Sequence, residues 1–339
     1  MSALISQYQN SKPSVINMSK KISIIGGRGF TGQELIKLID SHPQFELAQA
    51  FSSSVAGEEI IIDECKLKKT YASLDEDTEF VQEDAIILAL PNNEAAKWAD
   101  KISKQNSQAI ILDLSADHRF DGEWHYSVPE LTQTIDGNKI SNPGCYATAM
   151  QLMLAPINNM IDGEVNFFGI SGYSGAGATP NDRNDPNKLK NNIIPYSFNN
   201  HIHEREVSFH MQREINFMPH VANFFRGILI TGNFSLKNQC SSQETRNIFD
   251  DFYDEHSFIV IKEEFPSISE VINTPNAMIG GFNIGSRDSP SETFNSIQKV
   301  VRVVKEKFDP STKIVLLSIL PRNSKVLLKD IQEVNSALA

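Results

Sequence analysis

The chain has 339 residues, 40% of them hydrophobic and 22% charged, an ordinary globular balance long enough for two domains. Its formal net charge of -11 disfavours a general nucleic-acid surface, which needs clustered Lys and Arg to neutralise phosphates, and leaves small-molecule chemistry as the better expectation. Three cysteines, Cys65, Cys145 and Cys240, lack CxxC or CxxH spacing, so neither a disulfide framework nor a zinc site is expected and a reducing compartment fits best.

Residues 1–20 are rich in Ser, Asn, Gln and Lys and read as a loose N-terminal tail without a signal-peptide core. No run approaches the roughly 18 apolar residues of a membrane helix, so a cytoplasmic protein with no membrane partner is expected. The run Lys21-Ile22-Ser23-Ile24-Ile25 is followed by Gly26-Gly27-Arg28-Gly29-Phe30-Thr31-Gly32 and then by helical spacing over 33–39, which predicts strand, glycine turn and helix. Further apolar runs at 46–51, 85–90 and 109–114 are nearly continuous, as strands covered on both faces of a parallel sheet must be. Residues 21–145 therefore read as a doubly wound, Rossmann-type α/β domain.

Beyond it, 146–154 reads as a helix, 165–170 as a strand and 171–177 as a Gly/Ser loop. Residues 178–200 carry Pro180, Pro186 and Pro195 among many Asn and Asp and predict a long excursion with little regular structure, a common place for function. Strand-like runs at 225–234, 277–284 and 313–320, with helical spacing over 292–307, predict an α+β second domain with a mixed or antiparallel sheet over 146–312.

Cys145 is the leading nucleophile candidate. It follows the turn Ser141-Asn142-Pro143-Gly144 and opens an apolar helical stretch. Unpaired N–H groups and the partial positive charge of a helix start favour thiolate, which predicts a thiol lowered toward neutrality. Gly26, Gly29 and Gly32 have GxxGxxG spacing between strand and helix, so the backbone can approach a pyrophosphate held by the helix N-terminus, with Arg28, Phe30 and Thr31 in the same turn. Where an NAD-preferring site ends its second strand in a carboxylate, this chain has Ser52, Ser53 and Ser54, and Arg28 stands nearby, which favours NADP. A thiolate beside a nicotinamide suggests an acyl-enzyme dehydrogenase, which needs an acid/base. The best candidates lie in His201-Ile202-His203-Glu204-Arg205-Glu206; HxH without a third ligand does not make a metal site. His220 is a weaker candidate, and His42, His118, His125, His210 and His256 are expected to be structural or exposed.

The glycine turn ending in Phe30-Thr31-Gly32, Leu112-Asp113-Leu114-Ser115-Ala116-Asp117 with Arg119, Val128-Pro129-Glu130-Leu131, Asn142-Pro143-Gly144-Cys145-Tyr146-Ala147-Thr148, Ser171-Gly172-Tyr173-Ser174-Gly175-Ala176-Gly177 and the HxHxxE stretch ending in Glu206 form one pattern. Over residues 21–320 the chain resembles the N-acetyl-γ-glutamyl-phosphate reductase family, relatives of aspartate-semialdehyde dehydrogenase. The resemblance implies that Cys145 attacks an acyl phosphate, that phosphate leaves, and that NADPH reduces the thioester to N-acetyl-glutamate semialdehyde in arginine biosynthesis. It implies His201 or His203, held by Glu206, as acid/base; Arg119, Asn142 and Arg205 at the substrate; and Ser174 and Gly175 near substrate or nicotinamide. It also implies a homodimer or homotetramer and a C-terminal segment, 313–339, that returns to the cofactor with Asn323.

The chain departs from the family pattern in three places. The family's HRHxPE stretch has Ile202 for its Arg and Arg205 for its Pro, which predicts a displaced anion contact. The His-Gly after Leu90-Pro91 is Asn92-Asn93, and the C-terminal Gly-Ala pair is Val326-Leu327. The bulk of that pair leaves an inactive scaffold as an alternative reading, beside a reductase of another acyl phosphate of amino-blocked glutamate or aminoadipate type.

Overall fold

The computed structural model of the chain describes residues 19–197, 200–238 and 240–283. The expectations for 292–307, 313–320, Asn323, Val326 and Leu327 lie outside the described residues. The apolar runs become strands β1 (Lys20–Ile25), β2 (Phe45–Phe51), β3 (Ala85–Leu88) and β4 (Ile110–Asp113), joined by short β5 (His125–Tyr126) and β6 (Lys139–Ser141). They form one six-stranded sheet in the order β2-β1-β3-β4-β6-β5 with every pair parallel.

Alternation along the strands sends side chains to two cores. Ile22 and Ile24 pack with Leu35, Ile36 and Ile39 of helix α1 (Phe30–Ser41). Ile25, Ile86 and Leu88 pack on the other face with Ala95, Ala99 and Ile102 of α2 (Ala95–Gln105). From β2 the chain returns to β3 on the far side of β1, which places a topological switch point at the carboxyl ends of β1 and β3, where open α/β sheets bind ligands.

A third core carries the remaining elements. Helix α3 (Cys145–Leu154) leads into β7 (Ile161–Gly172), which pairs parallel with β9 (Ile215–Ala222) and antiparallel with β10 (Ile228–Leu236); β8 (Ile193–Pro195) completes a mixed sheet in the order β10-β7-β9-β8. Inward residues Val165, Phe167, Ile215 and Phe217 bury Tyr146, Ala147 and Met150 of α3. The Tyr146 ring meets Phe217 edge-on, with centroids 4.8 Å apart, so α3 is fixed to the sheet one residue beyond Cys145. Helix α5 (Ile202–Met211) precedes β9, and α6 (Ser242–Phe252) begins with a Ser241/Glu244 capping box. Strands β11 (Ile259–Ile261) and β12 (Ala277–Ile279) form a separate parallel pair, with the one-turn helix α7 (Ile268–Val271) between them.

The polar excursion 178–200 is more regular than its composition predicts: it contains the one-turn helix α4 (Pro186–Leu189), capped by Asp185, and edge strand β8. Strand β9 escapes sequence reading because Pro219 sits within it and argues against a strand on its own.

Candidate active site

Cys145 occupies the first position of α3, directly after β6 and the Asn142-Pro143-Gly144 turn, and its side chain is exposed on a cleft of about 660 Å³. The same cleft is lined by Phe30 and Thr31 of the glycine turn and by Ser174 and Gly175. Nucleophile, helix α1 start and Gly/Ser loop, far apart in sequence, thus share one space. The backbone amides of Tyr146 and Cys145 and the Arg119 guanidinium pull the thiol pKa down, as a helix start should, but desolvation by the surrounding protein and the Glu206 carboxylate push it up by more. The resting thiol is raised, which corrects the expectation of a lowered one; the sulfur faces the cleft while its other sides are hemmed in by protein.

Glu206, fully buried on α5, organises the turn before Cys145. Its carboxylate accepts from the Gly144 N–H at 2.8 Å, the Tyr126 hydroxyl at 2.8 Å and the Arg119 guanidinium at 2.9 Å. Burial pushes its carboxyl up, and Arg119, the Gly144 amide and Tyr126 oppose that shift. The expectation that Glu206 holds the histidines is corrected: its hydrogen bonds go to these three groups and to neither imidazole. Arg119 is similarly committed, its other nitrogens donating to the carbonyls of Asn142 at 3.1 Å and Leu114 at 3.2 Å, and it is only 6% exposed. It acts on the sulfur through its charge rather than as an open anion site. Asn142 donates its side-chain amide to the Pro143 carbonyl and thereby shapes the turn.

His201 caps α5, its Nδ1 accepting the His203 N–H at 3.1 Å, so its proton resides on Nε2. The two rings meet at 4.9 Å. A Cβ on Gly144 would collide with the His203 imidazole and stand 2.7 Å from Arg119 Nη1, so only glycine lets that ring lie against the residue before the nucleophile. Burial, and then the charges of His201 and Arg119, depress His203 to about 3; burial and Arg183 depress His201 to about 4. Both imidazoles are therefore neutral near pH 7. His203 Nδ1 is buried and has no hydrogen-bond partner among the described residues.

At the other end, Gly26 has φ +91, and a Cβ there would strike the Ala89 carbonyl, so the strand can turn only at glycine where β1 abuts the end of β3. Gly29 caps α1 without a side-chain bond, and no acidic residue stands in the first turn, leaving amide donors directed at the switch point. Arg28 donates to Ser54 at 3.2 Å, and the Ser52 and Ser54 hydroxyls are 3.4 Å apart. A cation and two hydroxyls beside an uncapped helix start fit a dinucleotide bearing a 2′-phosphate. Ser53 takes no part in these contacts.

Arg205 does not join the group: its guanidinium lies 5.8 Å from the Phe120 ring centroid on the outer side of α5. Residues that sequence reasoning missed are Tyr126 and Tyr196, and Arg183, whose guanidinium lies 5.1 Å from the Tyr196 ring. The Asn92-Asn93 departure has a local reason. Asn93 adopts φ +69, which Asn tolerates better than most side chains, and Asp117 accepts the amides of Asn93 and Ala95 at the start of α2. Among the described residues no helix is long and apolar enough to cross a membrane, and no group of three or more His, Cys, Asp or Glu could hold a metal ion.

Comparison with known proteins agrees with this architecture. Residues 21–136 match the semialdehyde dehydrogenase NAD binding domain, and 145–290 match the semialdehyde dehydrogenase dimerisation domain. An N-acetyl-gamma-glutamyl-phosphate reductase of Xanthomonas axonopodis pv. citri is 43% identical over 270 residues, 78% of this chain and 85% of the relative. Protein arg11, mitochondrial, of Schizosaccharomyces pombe is 39% identical over 84% of this chain but only 33% of its own length. Aspartate semialdehyde dehydrogenase II from Vibrio cholerae, solved with ASA, superposes with a TM-score of 0.65 at 16% identity, covering 86% of this chain and 100% of that one, a likeness of fold. The chain belongs to the N-acetyl-gamma-glutamyl-phosphate reductases of the semialdehyde dehydrogenase family.

Proposed function

We propose that the chain catalyses the NADPH-dependent reductive dephosphorylation of N-acetyl-γ-glutamyl phosphate to N-acetyl-L-glutamate 5-semialdehyde, through a thioester on Cys145. The observation that carries this reading is an exposed helix-start cysteine that shares one cleft with Phe30 and Thr31 of an uncapped glycine turn, while a half-buried neutral imidazole packs against the residue before the cysteine. Relatives that share 43–44% of their residues with this chain bear the corresponding name.

In this reaction Cys145 Sγ bonds to the acyl carbon as the carbon–oxygen bond to phosphate breaks. His203 takes the thiol proton and passes it to the departing phosphate. Because thiol and imidazole are both neutral at rest, proton transfer accompanies attack instead of preceding it. The amides of Tyr146 and Cys145 at the start of α3 donate to the sulfur and steady the negative charge that develops on it. When bound, NADPH would supply the hydride that reduces the thioester carbon. The carbon–sulfur bond then breaks, the aldehyde leaves, and the Cys145 thiolate regains a proton from solvent. Glu206 and Arg119 keep the turn, and hence the sulfur, in place; they are positioning residues.

The 2′-phosphate falls to Arg28, Ser52 and Ser54, and the pyrophosphate to the amides at Phe30, Thr31 and Gly32, the Gly29 amide being held by the Gly26 carbonyl at 3.2 Å. The aspartate semialdehyde dehydrogenase of Candida albicans, solved with NADP, shares the fold with a TM-score of 0.63 at 14% identity. We assign residues 21–145 to the cofactor domain and 146–312, of which those up to 283 are described, to the catalytic and pairing domain, an assignment supported by the matches over 21–136 and 145–290. The dimerisation-domain match supports a homo-oligomer, here a homodimer or homotetramer. A reducing cytoplasmic setting suits a free nucleophilic cysteine. The test is phosphate-dependent reduction of NADP by N-acetyl-glutamate semialdehyde: the chain should turn over, Cys145→Ala should not, and undiminished turnover in Cys145→Ala would reject the covalent route.

A further inference from the structure

Of the arginines around the site, Arg119 is buried on protein acceptors and Arg226 pairs with Glu34 at 2.9 Å, while Arg205 lies over the Phe120 ring. Arg183 also lies over a ring, but that ring is Tyr196, which meets His201. Its neighbouring acids are already engaged, Asp182 with Lys188 at 2.6 Å and Asp185 with the Asn187 amide at 2.9 Å, and among the described residues Arg183 has no carboxylate within ion-pair distance.

The segment that presents it is held in place. Asn181 Oδ1 accepts the Arg183 N–H at 3.0 Å, while Asn181 Nδ2 donates to the Ala176 and Thr179 carbonyls; Asn184 donates to the Gly177 and Thr179 carbonyls at 2.9 and 2.8 Å. From this turn the guanidinium reaches over the Tyr196 ring at 5.1 Å; Tyr196 meets His201 at 5.7 Å, and His201 meets His203 at 4.9 Å. Its charge is felt at His201, and Tyr196 in turn is coupled to Cys145. An exposed cation without an ion-pair partner, fixed by a double asparagine turn and connected ring by ring to the His201–His203 pair, is the arrangement needed to receive an anion.

We infer that Arg183, pinned over Tyr196 beside the His201–His203 pair, binds an anionic group of the substrate, its carboxylate or its phosphate, and orients the acyl carbon toward Cys145. This rests on the acyl-phosphate reading above. Arg183 is thereby a specificity-determining residue, since a neutral acyl compound would leave it unpaired.

The experiment uses the full chain with Arg183→Gln and Arg183→Lys, and two readouts. The first is independent of turnover: alkylation at Cys145, followed by peptide mass, with anionic iodoacetate and neutral iodoacetamide. The iodoacetate-to-iodoacetamide rate ratio should fall about fivefold or more in R183Q and recover in R183K, because one positive charge has left the approach. The second is the reverse reaction. In R183Q the KM should rise about tenfold or more, the scale of one charge-assisted hydrogen bond, with kcat changed less. A rise confined to the semialdehyde assigns the carboxylate, and one confined to inorganic phosphate assigns the phosphate. An unchanged alkylation ratio together with both KM values within twofold of the parent would overturn the inference. Should the parent chain lack turnover altogether, the reaction assignment fails while the alkylation ratio still judges Arg183: a fall supports its anion role, and an unchanged ratio overturns it.

Discussion

Removal of the Glu206 carboxylate should cost more stability than any other single truncation near the site. Three buried or part-buried donors converge on it at 2.8, 2.8 and 2.9 Å, from the Gly144 amide, Tyr126 and Arg119. In Glu206→Ala, the guanidinium loses its only carboxylate partner among the described residues, and breaking a buried ion pair from one side costs about 3–5 kcal/mol. Each neutral donor left unsatisfied adds about 1–3 kcal/mol, although the terms share one cavity and do not add fully. A total of about 5 kcal/mol lowers the melting temperature by roughly 10 °C or more for a chain of this size. Glu206→Gln keeps an acceptor for two of the three donors and should fall between. Tyr126→Phe, which removes the bond to Glu206 and the one accepted from Gln151 Nε2, should cost about 1–3 kcal/mol. Urea and thermal melts of these three variants supply the numbers. If Glu206→Ala melts within about 1 kcal/mol of the parent, the turn before Cys145 is not held by this carboxylate and the positioning role assigned to it is wrong.

Gly144→Ala should retain secondary structure yet lose about 100-fold or more in kcat, since the added methyl evicts the His203 ring from its place against the nucleophile turn; circular dichroism and steady-state rates together check it. Stability should fall as pH drops below the ordinary histidine value of 6.5 toward 4, because His201, depressed to about 4, and His203, to about 3, resist protonation in the native chain while the unfolded chain takes up both protons. By pH 4.5 the two cost about 3–5 kcal/mol after allowing for the partial exposure of His201, and the His201→Asn/His203→Asn variant should flatten that slope in urea melts at stepped pH. Arg28→Ala/Ser54→Ala should raise KM for NADPH about tenfold or more and leave KM for NADH nearly unchanged, which initial rates with the two cofactors measure directly.

The fold was largely legible in the residues because its signals are local. Nearly continuous apolar runs such as Ile22 to Ile25, broken only by Ser23, and 85–88 are satisfied between two layers, and Gly26 to Gly32 announces the turn between strand and helix. Cys145 was legible for the same reason, standing directly after Asn142-Pro143-Gly144. What the sequence hides is pairing at long range. Arg119 and Glu206 are 87 positions apart, and nothing local says that one consumes the other, so an arginine suited to substrate becomes part of the scaffold. The sign of the Cys145 shift fails similarly, since the helix-start contribution can be read from the turn but the desolvation that outweighs it depends on what packs around the sulfur. Arg183 was lost in a polar run whose composition reads as solvated loop; the paired asparagines at 181 and 184, each able to lock a turn, were the available signal.

The most direct measurement is the intact mass of the chain quenched after mixing with N-acetyl-γ-glutamyl phosphate in the absence of NADPH, with the modified peptide then identified. The account predicts one N-acetylglutamyl group in thioester linkage at Cys145, released as semialdehyde when NADPH is added. A chain that forms the aldehyde in single turnover while Cys145 stays unmodified throughout would contradict it.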